Sequence, residues 1–181
     1  MTPIRLDLVL REAVGTPYSD LVTRSTGQAV RHRLLATLRD RPLADAHLDF
    51  GAVGFMDFSC ADEVVAKLLL EVAALPVGRI VLHGLKEDHA EAIDHALDRH
   101  GLVLAALTHD TERACLLGRV EPDWRPVVER LFARGGRVGV PPIAHDLTWE
   151  ESRARVALHA LAEHRCVLAH PDATFELGLA R

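Results

Sequence analysis

The stretch LDFGAVGFMDFSCADEVVAKLL, residues 48–69, constrains the fold more than any other part of the chain. Its first half is apolar at nearly every second position, the period of a half-buried strand. After MDFS the apolar residues Val64, Val65, Leu68, Leu69 and Val72 recur at helical spacing. A strand passing through one short turn into a helix must bury both apolar sides against neighbouring elements, which commits the segment to a layered α/β arrangement. A serine, a cysteine and three carboxylates crowd that turn.

The rest of the first two thirds repeats the alternation. Residues 46–50 and 53–55 read as one strand running towards Asp57, and Ser59 with Asp62 three positions later has the form of a capping box opening a helix over 60–74. Pro76 and Gly78 end that helix. Residues 79–82 and 102–107 read as buried strands, 114–117 as an edge strand, and 87–99 as an amphipathic helix stopped by Gly101. Upstream, residues 4–14 alternate as an opening strand, and residues 26–38 place Val30, Leu34, Leu35 and Leu38 on one side of a helix closed by Arg41-Pro42. Strand–helix alternation of this kind implies right-handed crossovers and a sheet covered by helices.

Near Gly118 the pattern changes. Residues 1–118 carry 12 basic and 17 acidic side chains, whereas 119–181 carry 9 of each, so the boundary of two domains, 1–118 and 119–181, is expected there. Residues 124–132 form a helix, PPIAHDL a short second one, and Thr148 caps a third over 149–164 with the stripe Val156, Leu158, Leu161 and Ala162. CVLAHPDATFEL then reads as a hairpin turning at Pro-Asp, with Val167, Leu168, Phe175 and Leu177 in the core. A fragment of residues 1–118 is expected to fold alone around Leu48, Phe50, Val65, Leu69, Val81 and Val103.

LDFGAVGFMDFSCADEVV resembles the strand–turn–helix segment of STAS domains, the fold of bacterial anti-sigma-factor antagonists, and Ser59 falls where those antagonists are phosphorylated. Ala61-Asp62-Glu63 and the upstream TRSTGQAVR are similar to a STAS-like variant family of unknown function. The likeness spans residues 1–118. It departs at Phe58, where a second small hydroxyl residue is usual, at Cys60, which replaces a glycine, and at the charged pair Asp62-Glu63. The resemblance implies a non-enzymatic regulator. Its protein partner, such as an ATP-binding kinase-like protein, would be met through Asp57, Ser59, Cys60, Asp62 and Glu63, with Arg24 and Arg31 docking acidic groups. Residues 121–179 resemble a winged-helix domain in architecture, which implies, as the alternative, a DNA-binding transcription regulator contacting phosphates through Arg137, Arg153, Arg155 and Arg165.

Other chemistries have less behind them. Cys60 in a first helical turn is placed like an acidified thiol, but the adjoining carboxylates oppose ionisation and no general base stands at a recognisable spacing. His95/His100 and His159/His164 are five apart, on different helix faces, and Cys166-x-x-x-His170 lacks a second pair, so no metal and no other cofactor is expected. There is no Walker loop and no Rossmann glycine motif. Three widely spaced cysteines suit free thiols in a reducing compartment, and no apolar run reaches the length of a membrane span, so a cytoplasmic location without membrane partners is expected.

Overall fold

A computed structural model describes residues 3–15, 18–40, 45–74, 78–108 and 113–179. Five strands, β1 (Ile4–Arg5), β2 (Ala46–Asp49), β3 (Ile80–Leu85), β4 (Val103–Thr108) and β5 (Ala114–Gly118), form one sheet in sequential order. The first four are parallel and β5 turns back antiparallel to β4. The fold is therefore α/β. Between strands run α1 (Leu6–Val14), α2 (Arg24–Arg39), α3 over residues 58–72 and α4 (Glu87–Arg99).

Sequential parallel strands joined by crossovers of one hand place every crossover helix on the same side of the sheet. All four helices accordingly pack on one face, where Leu48, Leu82, Leu104 and Ala106 of the strands meet Leu10, Leu34, Val64, Leu68 and Ile93. The strand period of two sends Val81, Val103, Ala105, Ala114 and Leu116 to the other face. That face would be bare without the C-terminal third. Its elements are α5 (Trp124–Arg134), β6 (Arg137–Gly139), α6 (Val140–Leu147), α7 (Glu151–Glu163), β7 (Leu168–Ala169) and β8 (Thr174–Glu176), with a three-stranded antiparallel sheet ordered β6-β8-β7. Trp124, Val127, Val128, Leu131, Ile143, Leu158, Leu161, Phe175 and Leu177 join the second face in one apolar cluster.

One buried polar device ties the two parts together. Arg79, 3% exposed, donates through Nε to Asp45 (3.2 Å) and through Nη1 to the carbonyls of Glu176 (3.1 Å) and Leu177 (2.8 Å). Gly178 lies flat against this guanidinium at φ 67°, and a Cβ there would stand 2.0 Å from Nη2.

Several sequence expectations are corrected. Residues 4–14 are a two-residue strand and then a helix: Leu6, Val9 and Leu10 are buried at i, i+3 and i+4, and Gly15 at φ 70° closes α1. Residues 53–55 do not prolong β2, which ends at Asp49; only a single parallel bridge, Leu21 to Met56, follows. The helix after the turn starts at Phe58, with its cap at Asp57 rather than Ser59, and its middle, Asp62–Lys67, is π-helical. Thr148 does not cap the third C-terminal helix; at φ 54° it ends α6, and α7 begins at Glu151. Val156 and Leu168 point to solvent, at 71% and 38% exposure. Arg41-Pro42 and Pro76 lie outside the described residues.

Candidate functional site

The junction that stands out in the sequence is the meeting point of two helix N-termini. Asp57 Oδ1 accepts from the backbone N–H of Cys60 (2.8 Å) at the start of α3, and its Oδ2 accepts from the N–H of Thr23 (3.0 Å), the residue before α2. The Ser59 hydroxyl also donates to Oδ1 (2.9 Å). One N–H from the first turn of α3 and the N–H of the residue that caps α2 thus share one resident carboxylate. Burial acts to raise the Asp57 carboxyl, but the hydrogen bonds from Cys60, Thr23 and Ser59 outweigh it and hold the pKa below the usual value. Thr23 holds φ 73° and ψ 140°, costly for a β-branched residue, and its own carbonyl accepts from Gly27 (3.1 Å) and from the Cys60 thiol (3.0 Å).

Asp57 is consequently the structural pin and Ser59 the accessible group beside it. Asp57→Ala is expected to cost about 1–2 kcal/mol, the upper end of the range for a lost cap, and Ser59→Ala clearly less. Chemical denaturation of both variants checks the order; a Ser59→Ala loss as large as that of Asp57→Ala would return the cap to the serine.

Behind the turn, Asp62 and Glu63 are 5% and 3% exposed and sit in an ion-pair network. Arg24 Nη1 reaches Asp62 (3.2 Å) and Glu63 (3.0 Å), Arg31 Nη2 reaches Glu63 (3.1 Å), Lys67 reaches Asp62 (3.4 Å) and pairs with Glu63, and His100 Nε2 meets Asp62 (2.7 Å). Burial opposes ionisation of both carboxyls, yet His100 and Lys67 at Asp62, and Lys67 with Arg31 and Arg24 at Glu63, pull both pKa values down. Gly27 permits the close crossing of α2 over α3, since a Cβ there would fall 2.9 Å from the Cβ of Glu63. Of the turn residues singled out from sequence, then, Cys60, Asp62 and Glu63 are interior, while Asp57, Ser59 and Arg24 reach the surface.

Cys60 is fully buried, and burial followed by the charge of Asp57 pushes its thiol up to about 12. It is a hydrogen-bond donor to Thr23, and a thiol held protonated is a poor nucleophile.

Other residues that shape the turn carry no local sequence signal. The backbone of residues 53–55 is held by Lys86 Nζ on the Val53 carbonyl (2.7 Å), by the fully buried His89 on the Gly54 carbonyl (2.7 Å) and by Asp20 accepting from the Phe55 N–H (2.9 Å). This framework leaves Phe55 52% exposed, and Tyr18, on the segment paired with it, 45% exposed. The chain has only five phenylalanines and one tyrosine, so two of these rings in solvent at one edge of the sheet are a marked concentration.

The arginines singled out for phosphate contacts are mostly engaged. Arg153 forks onto Asp123 (2.8 and 2.6 Å) with its guanidinium over Trp149, Arg155 lies 3.8 Å from Glu151, and Arg137 lies 3.9 Å from Glu176. Arg165 is exposed, in a left-handed conformation at φ 58°. Among the described residues there is no grouping of three or more histidine, cysteine or acidic side chains able to hold a metal, and no helix is long and apolar enough to cross a membrane.

No protein-family model matches the chain, and neither a curated protein nor a solved structure matches it significantly.

Proposed function

We propose that this chain is a non-enzymatic bacterial regulatory protein, with a STAS-like first part and a winged-helix-like second part, acting by protein–protein contact at the turn of residues 57–64, on the side where Asp57 and Ser59 reach the surface. The observation that carries the reading is the pair of solvent-exposed rings, Phe55 and Tyr18, on two paired segments, of which the first leads to Asp57 and Ser59 and the second to Thr23, whose N–H Asp57 holds. Exposed aromatics beside polar groups are the usual anchors of protein interfaces, whereas a cofactor or substrate site needs a concave surface. The buried ion pairs under the turn hold α2 and α3 in register, so the partner meets a preorganised surface.

The same geometry supports control through Ser59. A phosphate there would bring a charge of about −1.5 to −2 against the ionised Asp57 and compete with it for the converging N–H groups. Modification would act by displacing Asp57 and loosening the turn.

Phe55→Ala and Ser59→Asp are each expected to weaken binding to the cognate partner about 10-fold or more, with folding checked separately. A photo-crosslinking residue at Phe55 identifies that partner, and titration calorimetry measures the variants. Unchanged affinity in both variants would remove the turn from the interface.

The alternative reading, DNA binding through α7, rests on the helix–strand–helix–helix–hairpin order of residues 124–176. It ranks second because Arg153, Arg155 and Arg137 already face carboxylates and the part carries no net charge from its lysine, arginine and acidic residues, which leaves little to neutralise a phosphate backbone.

A further inference from the structure

At the amino ends of β3 and β4, the edge of the sheet away from the turn, α3, the strands and the end of α7 border an open groove. Its floor is aliphatic, from Leu69, Val72, Ile80 and Leu104. Its rim is Glu163, His164 and Arg165, supplied by the C-terminal part. Glu163 and Arg165 have opposite charges, yet among the described residues neither forms an ion pair. Side chains two apart on a helix do not face each other, so both can border the groove without pairing, and His164 between them turns its ring towards Trp124, with centroids 5.0 Å apart.

Arg165 occupies the left-handed position after α7, where the Cys166 N–H returns to the Leu161 carbonyl (2.8 Å) and the Arg165 N–H to that of Ala162 (2.9 Å). Glycine is the residue that fills this position at least cost. An arginine there adds strain and gains no partner within the described chain, but it does put a cationic residue among those that line the groove.

We propose that this groove binds an apolar α-amino acid, its side chain on the aliphatic floor, its carboxylate on Arg165 and its ammonium on Glu163. A simple carboxylate would set an anion against Glu163, and a simple amine would set a cation against Arg165. A zwitterion satisfies both and costs no net charge. Because the floor belongs to the sheet and α3 and the rim to α7, the bound molecule touches both parts and stabilises their docking by mass action.

Calorimetric titration of the full chain with leucine and with phenylalanine tests this, alongside 4-methylpentanoate, which lacks the amine, and 3-methylbutylamine, which lacks the carboxylate. At least one of the two amino acids is expected to bind saturably with a Kd of about 1 mM or tighter, and the two leucine fragments about 10-fold more weakly than leucine. Arg165→Gly relieves the left-handed strain, so it is expected to melt at or above the wild-type temperature while losing about 10-fold in amino-acid affinity. Glu163→Gln removes the preference for leucine over 4-methylpentanoate. Absence of saturable binding of both amino acids to the wild type, or wild-type affinity in Arg165→Gly, overturns the proposal.

Discussion

Replacing Arg79 by leucine is expected to destabilise the protein by about 3–5 kcal/mol, the range for removing one partner of a buried charged pair. The side chain is 3% exposed, and its loss strands three acceptors together. Asp45 loses its counter-charge, and the carbonyls of Glu176 and Leu177 lose the Nη1 donor that serves both. Burial alone would raise the Asp45 carboxyl; the hydrogen bonds and charge of Arg79 hold it below its usual value.

Arg79→Lys is expected to recover only part of the loss, because an ammonium can carry the charge but cannot fork between a carboxylate and two carbonyls. Gly178→Ala attacks the same contact from the other side. Its Cβ would meet Nη2 at 2.0 Å and its backbone would have to keep φ 67°, so the guanidinium must leave its place. Urea unfolding of the three variants measures the order, and NMR titration of Asp45 reports whether its carboxyl moves up when Arg79 is lost. An Arg79→Leu variant within about 1 kcal/mol of the wild type would show that the apolar cluster alone fastens the two parts.

What could be read from the sequence follows the range of the forces involved. β2, β3, α4, β4, β5 and the three C-terminal helices announce themselves through the periodicity of their own residues, which a single segment displays. Residues 4–14 do not, since Leu6, Leu8 and Leu10 alternate like a strand while Leu6, Val9 and Leu10 also lie on one helical face; the core against α2 decides for the helix. β6 is three residues long and exists only through pairing with β8, some 37 positions later, so nothing local marks it. The expected cap, Ser59, lies two residues beyond the observed one, Asp57, because both are good capping types and the distant Thr23 N–H adds a second donor for Asp57.

The same distance in sequence hid the interior of the candidate site. Asp62 and Glu63 look like surface charge; Lys67 is a local partner, but Arg24, Arg31 and His100, which also make their burial tolerable, lie on other helices or beyond them, more than 30 positions away. Arg79 and the carbonyls it serves are 97 and 98 positions apart. The STAS-like stretch LDFGAVGFMDFSCADEVV contains Phe55 but not Tyr18, and nothing in its residue pattern marks Phe55 as the ring left in solvent.

Truncation after residue 118 is expected to give a chain that keeps its secondary structure but self-associates and melts about 10 °C or more below the full protein. The first core is complete within residues 1–118: Leu48, Phe50, Val65 and Leu82 are covered by α1 to α4, so the sheet and its helices hold together. The second core is shared. Val81, Val103, Ala105, Ala114 and Leu116 are at most 8% exposed in the full chain, and their cover consists of Trp124, Val127, Val128, Leu131 and other residues beyond 118. Each buried aliphatic side chain returned to water costs about 1.5–3 kcal/mol when fully exposed, and a contiguous apolar sheet face is an association surface. Arg79 would lose its two carbonyl acceptors at the same time. Far-UV circular dichroism with analytical ultracentrifugation distinguishes the outcomes. A monomeric fragment melting like the full chain would show that the C-terminal part is an accessory to the sheet, and a fragment without secondary structure would show that the two cores fold only as one.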